Sequence, residues 1–342
     1  MHCWREVPVQ HKAIGQESIM MTTTRMWLLH PSREGTMRKH GLDILSRVTH
    51  FPTSSLSSVA TQYQFDKSLY DDVESKTITD HYSIGDAPNG GYLMAKAMVA
   101  AREVTTMRDP LTITAHFVAK ADEHQHVDWT VELVHRSRSM ENVAIGMYQN
   151  GGKKAVFLAA FGDFARMKGP TYKRRKAPIL PPVSECIEAG PIIKEKFLSP
   201  LRIENQYNFV LPKNSPFYTT TLSGRSNIDA AAEYSGYVRF RDKRPHCYMS
   251  LSLFLDALPP PALNVCMSPW VPTLEFTSHF WGLPITTSEK GGADNDANWL
   301  KFRFKTEYMI NGLLCEEGEL WDYTEEKLLA TSKQVARLLL PR

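Results

Sequence analysis

The pattern of apolar and polar positions changes near Tyr63. Before it, residues 1 to about 58 collect Met, Thr, Ser, Arg and His without sustained periodicity, which predicts a poorly ordered extension. From Asn89 to Val104, "NGGYLMAKAMVAAREV" predicts a helix opened by Asn-Gly-Gly, with Leu93, Ala97, Ala100 and Ala101 as its apolar stripe. Strands follow. In "LTITAHFVA", Leu111, Ile113, Ala115 and Phe117 alternate with Thr112, Thr114 and His116. "VDWTVELVHRS" repeats the alternation through Val127, Trp129, Val131 and Leu133. "NVAIGMYQNGGKKAVFLAAFGDF" predicts a hairpin turning at Asn150-Gly151-Gly152.

Residues 166–235 break the pattern. Prolines at 170, 178, 181, 182, 191, 200, 212 and 216 argue against central strands and predict an irregular connection. The pattern then recurs. "HCYMSLSLFLDAL" predicts a helix stopped by Pro259-Pro260-Pro261. "PTLEFTSHFW" predicts a strand, and "LKFRFKTEYMI" alternates Leu300, Phe302, Phe304 and Tyr308 against Lys301, Arg303, Lys305 and Glu307. "GELWDYTEEKLLATSKQVARLL" closes with a hairpin. Helix, strand, strand, hairpin therefore occurs twice, over 59–165 and 236–342. His116-Phe117 aligns with His279-Phe280, and Lys154 to Phe161 with Lys327 to Gln334.

Composition narrows the classes. With 42% hydrophobic and 23% charged residues, the chain can bury a normal core, and a net charge of +3 gives no strong pull toward nucleic acid or a membrane surface. The run Lys173-Arg174-Arg175-Lys176 sits among prolines and reads as solvated linker. Five widely spaced cysteines without a C-x-x-C pair support neither zinc nor a disulfide framework, and fit a reduced, cytoplasmic compartment. No apolar run approaches the roughly 18 residues of a membrane span. The C-terminal Leu340-Pro341-Arg342 is not of the Ser-Lys-Leu type, so a peroxisomal address is not expected.

"NGGYLMAKAMVAA", "PLTITAHFVA", "PTLEFTSHF" and "GELWDYTEEKLLATSKQVARLL" together resemble the type II acyl-CoA thioesterases, a thioesterase-like superfamily with a double hotdog. The resemblance covers roughly residues 63–165 and 235–340. It implies an α+β fold of two tandem hotdogs, each a long antiparallel sheet wrapped around a central helix. It also implies cleavage of an acyl-CoA, or a carrier-bound acyl group, by an activated water, with no metal and no cofactor. An oligomer formed through the hotdog sheets is compatible with it. By position it places the catalytic trio on Asp256, Thr273 and Gln334.

The residues themselves support the trio unequally. Asp256 is the one charge in "MSLSLFLDAL", where an unsatisfied carboxylate would cost several kcal/mol. Gln334 shares parity with Ala330, Ser332 and Ala336, which puts an amide on the covered face of its strand. Thr273 shares parity with Glu275 and His279 rather than Leu274 and Phe276, so only its place at the strand start and the resemblance recommend it. On the alignment above the first half carries Pro110 and Phe161 at the places of Thr273 and Gln334, so one site per chain is expected, in the second half. Gly90 and Gly91 suit close backbone approach to a substrate. His279, Phe280 and Trp281, with Trp270 and Phe276, are candidates for the acyl pocket.

Competing signals are weak. No G-x-S-x-G elbow or phosphate-binding glycine loop occurs. His124 and Asp128 match an H-x-x-x-D spacing of two fixed positions only, and His124, His126 and His135 lack partners at metal-ligand spacing. Other acyl-thioester chemistry in a biosynthetic pathway, either dehydration, for which hotdog enzymes use an Asp/His pair, or product release, and a non-catalytic acyl-binding protein remain the alternatives.

Overall fold

A computed structural model describes residues 76–196, 202–219, 227–268, 270–283, 298–323 and 327–339. The extension predicted over residues 1–58 lies outside them. After a small hairpin, β1 (Ser83–Ile84) and β2 (Ala87–Pro88), comes helix α1 (Gly90–Ala101). Strands β3 (Asp109–Phe117), β4 (Asp128–Arg136), β5 (Glu141–Gln149) and β6 (Gly152–Gly162) follow. The middle of the chain supplies β7 (Cys186–Glu188), α2 (Gly190–Lys196), β8 (Tyr207–Pro212), α3 (Pro216–Thr219) and β9 (Glu233–Phe240). The second half contributes α4 (Tyr248–Phe254), β10 (Thr273–Phe280), β11 (Leu300–Ile310), β12 (Leu313–Asp322) and β13 (Leu328–Arg337).

Eleven strands form one antiparallel sheet in the order β4-β5-β6-β3-β10-β13-β12-β11-β9-β8-β7. The first half reads β4-β5-β6-β3 and the second reads back β10-β13-β12-β11, so the halves are related by a two-fold about the β3·β10 seam. That axis passes between Thr114 and Thr277, which pair with each other and whose hydroxyls are 2.9 Å apart. This is the tandem hotdog expected.

The two central helices, α1 and α4, pack against the sheet and against each other. All of α1 except Gly90 is buried, so the whole helix is core rather than an amphipathic stripe. It crosses α4 at Gly91, where a Cβ would overlap the Ser252 carbonyl oxygen and stand 3.1 Å from Leu253 Cα. Ser252 Oγ donates to the Gly91 carbonyl at 3.2 Å across the same crossing. α4 ends at Phe254, two residues before Asp256 and ahead of the three prolines, which cannot continue the ladder.

Three expectations need correction. The segment 166–235 is not wholly irregular: β7, β8 and the start of β9 extend the sheet beyond β11. Its prolines end elements instead of interrupting them, with Pro212 closing β8 and Pro216 opening α3. The basic run is not merely solvated, since Arg175 donates to Glu319 at 2.8 Å and to Glu317 at 2.9 Å. Tyr308 is 68% exposed, because a bulge between Thr306 and Tyr308 reverses the parity of β11 at that point.

The registers also correct the alignment of the halves. Pro110 pairs with Phe161 and Thr273 with Ala336, each followed by the same irregularity, Pro110/Thr112 and Thr273/Glu275. Phe161 therefore corresponds to Ala336, two residues past Gln334. The counterpart of Gln334 is Ala159, as Ile113–Ala159 and Phe276–Gln334 pairing also shows. Four residues separate Tyr148 from its partner Lys153 and six separate Trp321 from Leu328, so the second turn is longer by two.

Candidate active site

Asn89 precedes α1 and caps it, its Oδ1 accepting from the Tyr92 N–H at 3.0 Å. Its amide nitrogen is left to face the second half, where it donates to Asp256 Oδ2 and to the Asp256 carbonyl, both at 2.9 Å. The Gly91 N–H donates to the same Oδ2 at 3.0 Å. The Asp256 carboxylate of one half thus rests on the N-terminus of the other half's helix, where unsatisfied N–H groups favour negative charge. Burial nevertheless dominates and pushes Asp256 up to about 7, against the N–H groups of Gly91 and Gly90 and the Asn89 amide, which favour the charged form.

Thr273 reaches the same place by a device the parity count did not contain. The bulge after it leaves Leu274 43% exposed as the extra residue, while Thr273 and Phe276 both sit opposite inward-facing positions of β13, Ala336 and Gln334. Thr273 Oγ1 donates to Gln334 Oε1 at 3.1 Å. Gln334 in turn donates from Nε2 to Glu316 Oε1 at 3.0 Å. Glu316 is 4% exposed, and burial together with the Asp256 charge pushes its carboxyl well above the usual carboxylate range.

Asp256, Thr273 and Gln334 all line one cavity of about 540 Å³. Gly90 lines it too, and a Cβ there would stand 2.8 Å from the Phe117 ring and 3.0 Å from Asp256 Oδ2. Its remaining wall is mostly apolar and comes from both halves and the middle segment, including Leu93, Phe117, Ile193, Leu258, Leu263 and Trp270. Gly91 lies behind this wall, holding Asp256 through its N–H.

The other pocket candidates are placed elsewhere. Phe276 is buried in the core. His279, Phe280 and Trp281 are at the far end of β10 from Thr273, roughly 20 Å along the strand. Phe280 packs edge-on against Tyr248, and Trp281 is 53% exposed with its indole N–H on Thr331 Oγ1 at 3.2 Å. None of them lines the cavity with the trio. His126 makes an exposed pair with Asp128 at 3.3 Å, away from the trio. Among the described residues no group of three or more His, Cys, Asp or Glu is arranged to hold a metal ion.

Residues 78–165 match the acyl-CoA thioesterase N-terminal domain, and residues 201–338 match the acyl-CoA thioesterase C-terminal domain. The chain belongs to the acyl-CoA thioesterase family. No curated protein matches its sequence. Solved structures share its fold at low identity. A protein assigned as a thioesterase II from Thermobifida fusca YX is 22% identical with a TM-score of 0.65, over 79% of this chain and 97% of its own. A hot dog fold protein of unknown function from Alicyclobacillus acidocaldarius is 20% identical with a TM-score of 0.63, over 81% of this chain and all of its own. The tesB protein of Mycobacterium avium subs paratuberculosis is 13% identical with a TM-score of 0.58, over 80% and 98%. Asn89 and Glu316, which hydrogen-bond Asp256 and Gln334, are the residues of the candidate site that sequence reasoning passed over. Glu316 was legible, since Leu314 and Leu320 fix the inward parity of its strand.

Proposed function

We propose that the chain hydrolyses an acyl-CoA, or an acyl group on a carrier, to free acid and thiol through a water activated by Asp256. The observation that carries this reading is a carboxylate pushed up to about 7 on the wall of a largely apolar cavity that also presents Thr273 and Gln334. A group with a value near the working pH is suited to take and return a proton.

The donors and acceptors define how a water fits. Thr273 spends its hydrogen on Gln334 Oε1, so its oxygen accepts. Gln334 spends one Nε2 hydrogen on Glu316 and keeps the other. A water between them donates to Asp256 and to Thr273 Oγ1 and accepts from Gln334 Nε2, which leaves one lone pair to attack the thioester carbonyl carbon. Asp256 takes the proton as the C–O bond forms. The C–S bond then breaks, and the proton goes to the leaving thiolate. Gly90 and Gly91 hold the base in this scheme, so they are not assigned as oxyanion donors. Among the described residues no histidine lines the cavity, which weighs against the dehydratase reading that needs an Asp/His pair.

The test is release of free thiol from short, medium, long and aromatic acyl-CoAs by the full chain. Turnover of at least one class that depends on Asp256 supports the reading, and no thiol release from any class contradicts it.

A further inference from the structure

A buried glutamate stands behind the proposed trio. Glu316 is on β12 opposite Gln334 on β13, and its Oε1 is 3.0 Å from Gln334 Nε2. Its neighbours Glu317 and Glu319 carry ion pairs to Arg175, and to Lys305 and Arg303 respectively. Glu316, in contrast, has Gln334 as its hydrogen-bond partner, and its Oε2 is buried with none among the described residues. Its pair partner on β11, Thr306, likewise has a buried hydroxyl without a hydrogen bond. Leaving a buried carboxyl so poorly paired costs stability, so packing alone does not explain it.

The first half supplies an internal control. Val143 pairs with Ala159 there as Glu316 pairs with Gln334 here, and both residues are buried. The fold thus accommodates an apolar pair at these two positions. The polar pair occurs in the half that holds Asp256 and Thr273.

A glutamine amide has two faces that differ only in which end donates, and a hydroxyl such as that of Thr273 can satisfy either. Something must break that tie. We propose that Glu316 is a positioning residue of the candidate active site, which accepts from Gln334 Nε2 and so turns Oε1 toward Thr273 and a nitrogen-bound hydrogen toward the water. This deepens the hydrolase reading and rests on it. Burial and the Asp256 charge push the Glu316 carboxyl well above the usual carboxylate range, and in the observed geometry its Oε1 is the acceptor for Gln334 Nε2.

The experiment is steady-state thiol release by the full chain and its Glu316→Gln, Glu316→Val, Gln334→Ala and Glu316→Val/Gln334→Ala variants. Glu316→Gln keeps a carbonyl acceptor and is expected to stay within about threefold of the parent kcat, with the acid limb of the pH profile unmoved. Glu316→Val is expected to lower kcat by about 10- to 100-fold with KM little changed, the effect of losing one buried hydrogen bond that orients a reacting group. In the Gln334→Ala background the same change is expected to add no further loss, because Glu316 acts only through that amide. If Glu316→Val does not fold, Glu316→Leu carries the same comparison. Parent-like kcat in the folded apolar variant, or an equal loss in the Gln334→Ala background, overturns the positioning role. A parent chain without thiol release, or an Asp256→Asn chain with full activity, instead overturns the hydrolase reading beneath it.

Discussion

The Asp256 carboxylate, from the second half of the chain, lies 3.0 Å from the backbone N–H of Gly91, from the first. Neither half alone can assemble this contact. The base candidate comes from one hotdog and the helix terminus that holds it comes from the other, which gives the covalent tandem a chemical consequence beyond burying a seam.

Asn89 connects the two. Replacing it with alanine removes the α1 cap, expected to cost about 1 kcal/mol, and also removes a hydrogen bond to the ionised form of Asp256. The Asn89 amide lowers the Asp256 value, so its loss raises that value further. The acid limb of kcat/KM is therefore expected to move to higher pH in Asn89→Ala. A limb that stays in place or moves down would show that Asn89 does not face the working base.

Gly91 is dictated by space. A Cβ would overlap the Ser252 carbonyl and approach Asp256 Cβ to 3.1 Å, and both neighbours belong to packed backbone or its first side-chain atom. Gly91→Ala is expected to destabilise the chain by about 1–3 kcal/mol, the usual cost of overpacking a core. Chemical denaturation checks this, and an unchanged midpoint would mean that α1 and α4 slide apart freely.

The corrected register makes Ala159 the first-half counterpart of Gln334. An amide there lacks the threonine partner, because Pro110 stands where the second half has Thr273. Ala159→Gln is expected to restore no activity to a Gln334→Ala enzyme and to lower its thermal midpoint, since it buries an unpaired polar group. Rescue of thiol release would refute a single site per chain.

The helices, the long strands and the tandem repeat could be read from periodicity, because a sheet with one covered face imposes alternation of period two. Asp256 and Gln334 stood out as polar groups where parity demanded apolar ones. What periodicity could not supply lay at bulges and turns. The bulge at Leu274 rescued Thr273, the bulge at Glu307 turned Tyr308 outward, and a longer turn after Trp321 shifted the alignment of the halves by two. The misplaced pocket residues have a different cause. His279, Phe280 and Trp281 follow Thr273 closely in sequence, but an extended strand carries them to its opposite end. The prolines of 166–235 argued against central strands, yet β8 is paired on both sides, by β7 and β9, because its one proline, Pro212, stands at the strand end.

The raised value of Asp256 also has a stability consequence. Its folded value lies above the ordinary carboxylate range, so its contribution to stability is present at low pH and is lost as pH rises toward and through about 7. Asparagine keeps an oxygen for Gly91 and Asn89 without the charge. Above pH 7, Asp256→Asn is therefore expected to melt no lower than the parent, which separates a catalytic defect from a folding one.

The pH dependence of kcat/KM for thiol release, measured side by side for the parent chain and Asp256→Asn, tests the central claim most directly. The parent is expected to gain activity as pH rises through about 7, where Asp256 loses its proton, while folded Asp256→Asn loses about 10²- to 10⁴-fold at every pH above it. Parent-like rates in the folded asparagine variant would contradict the account.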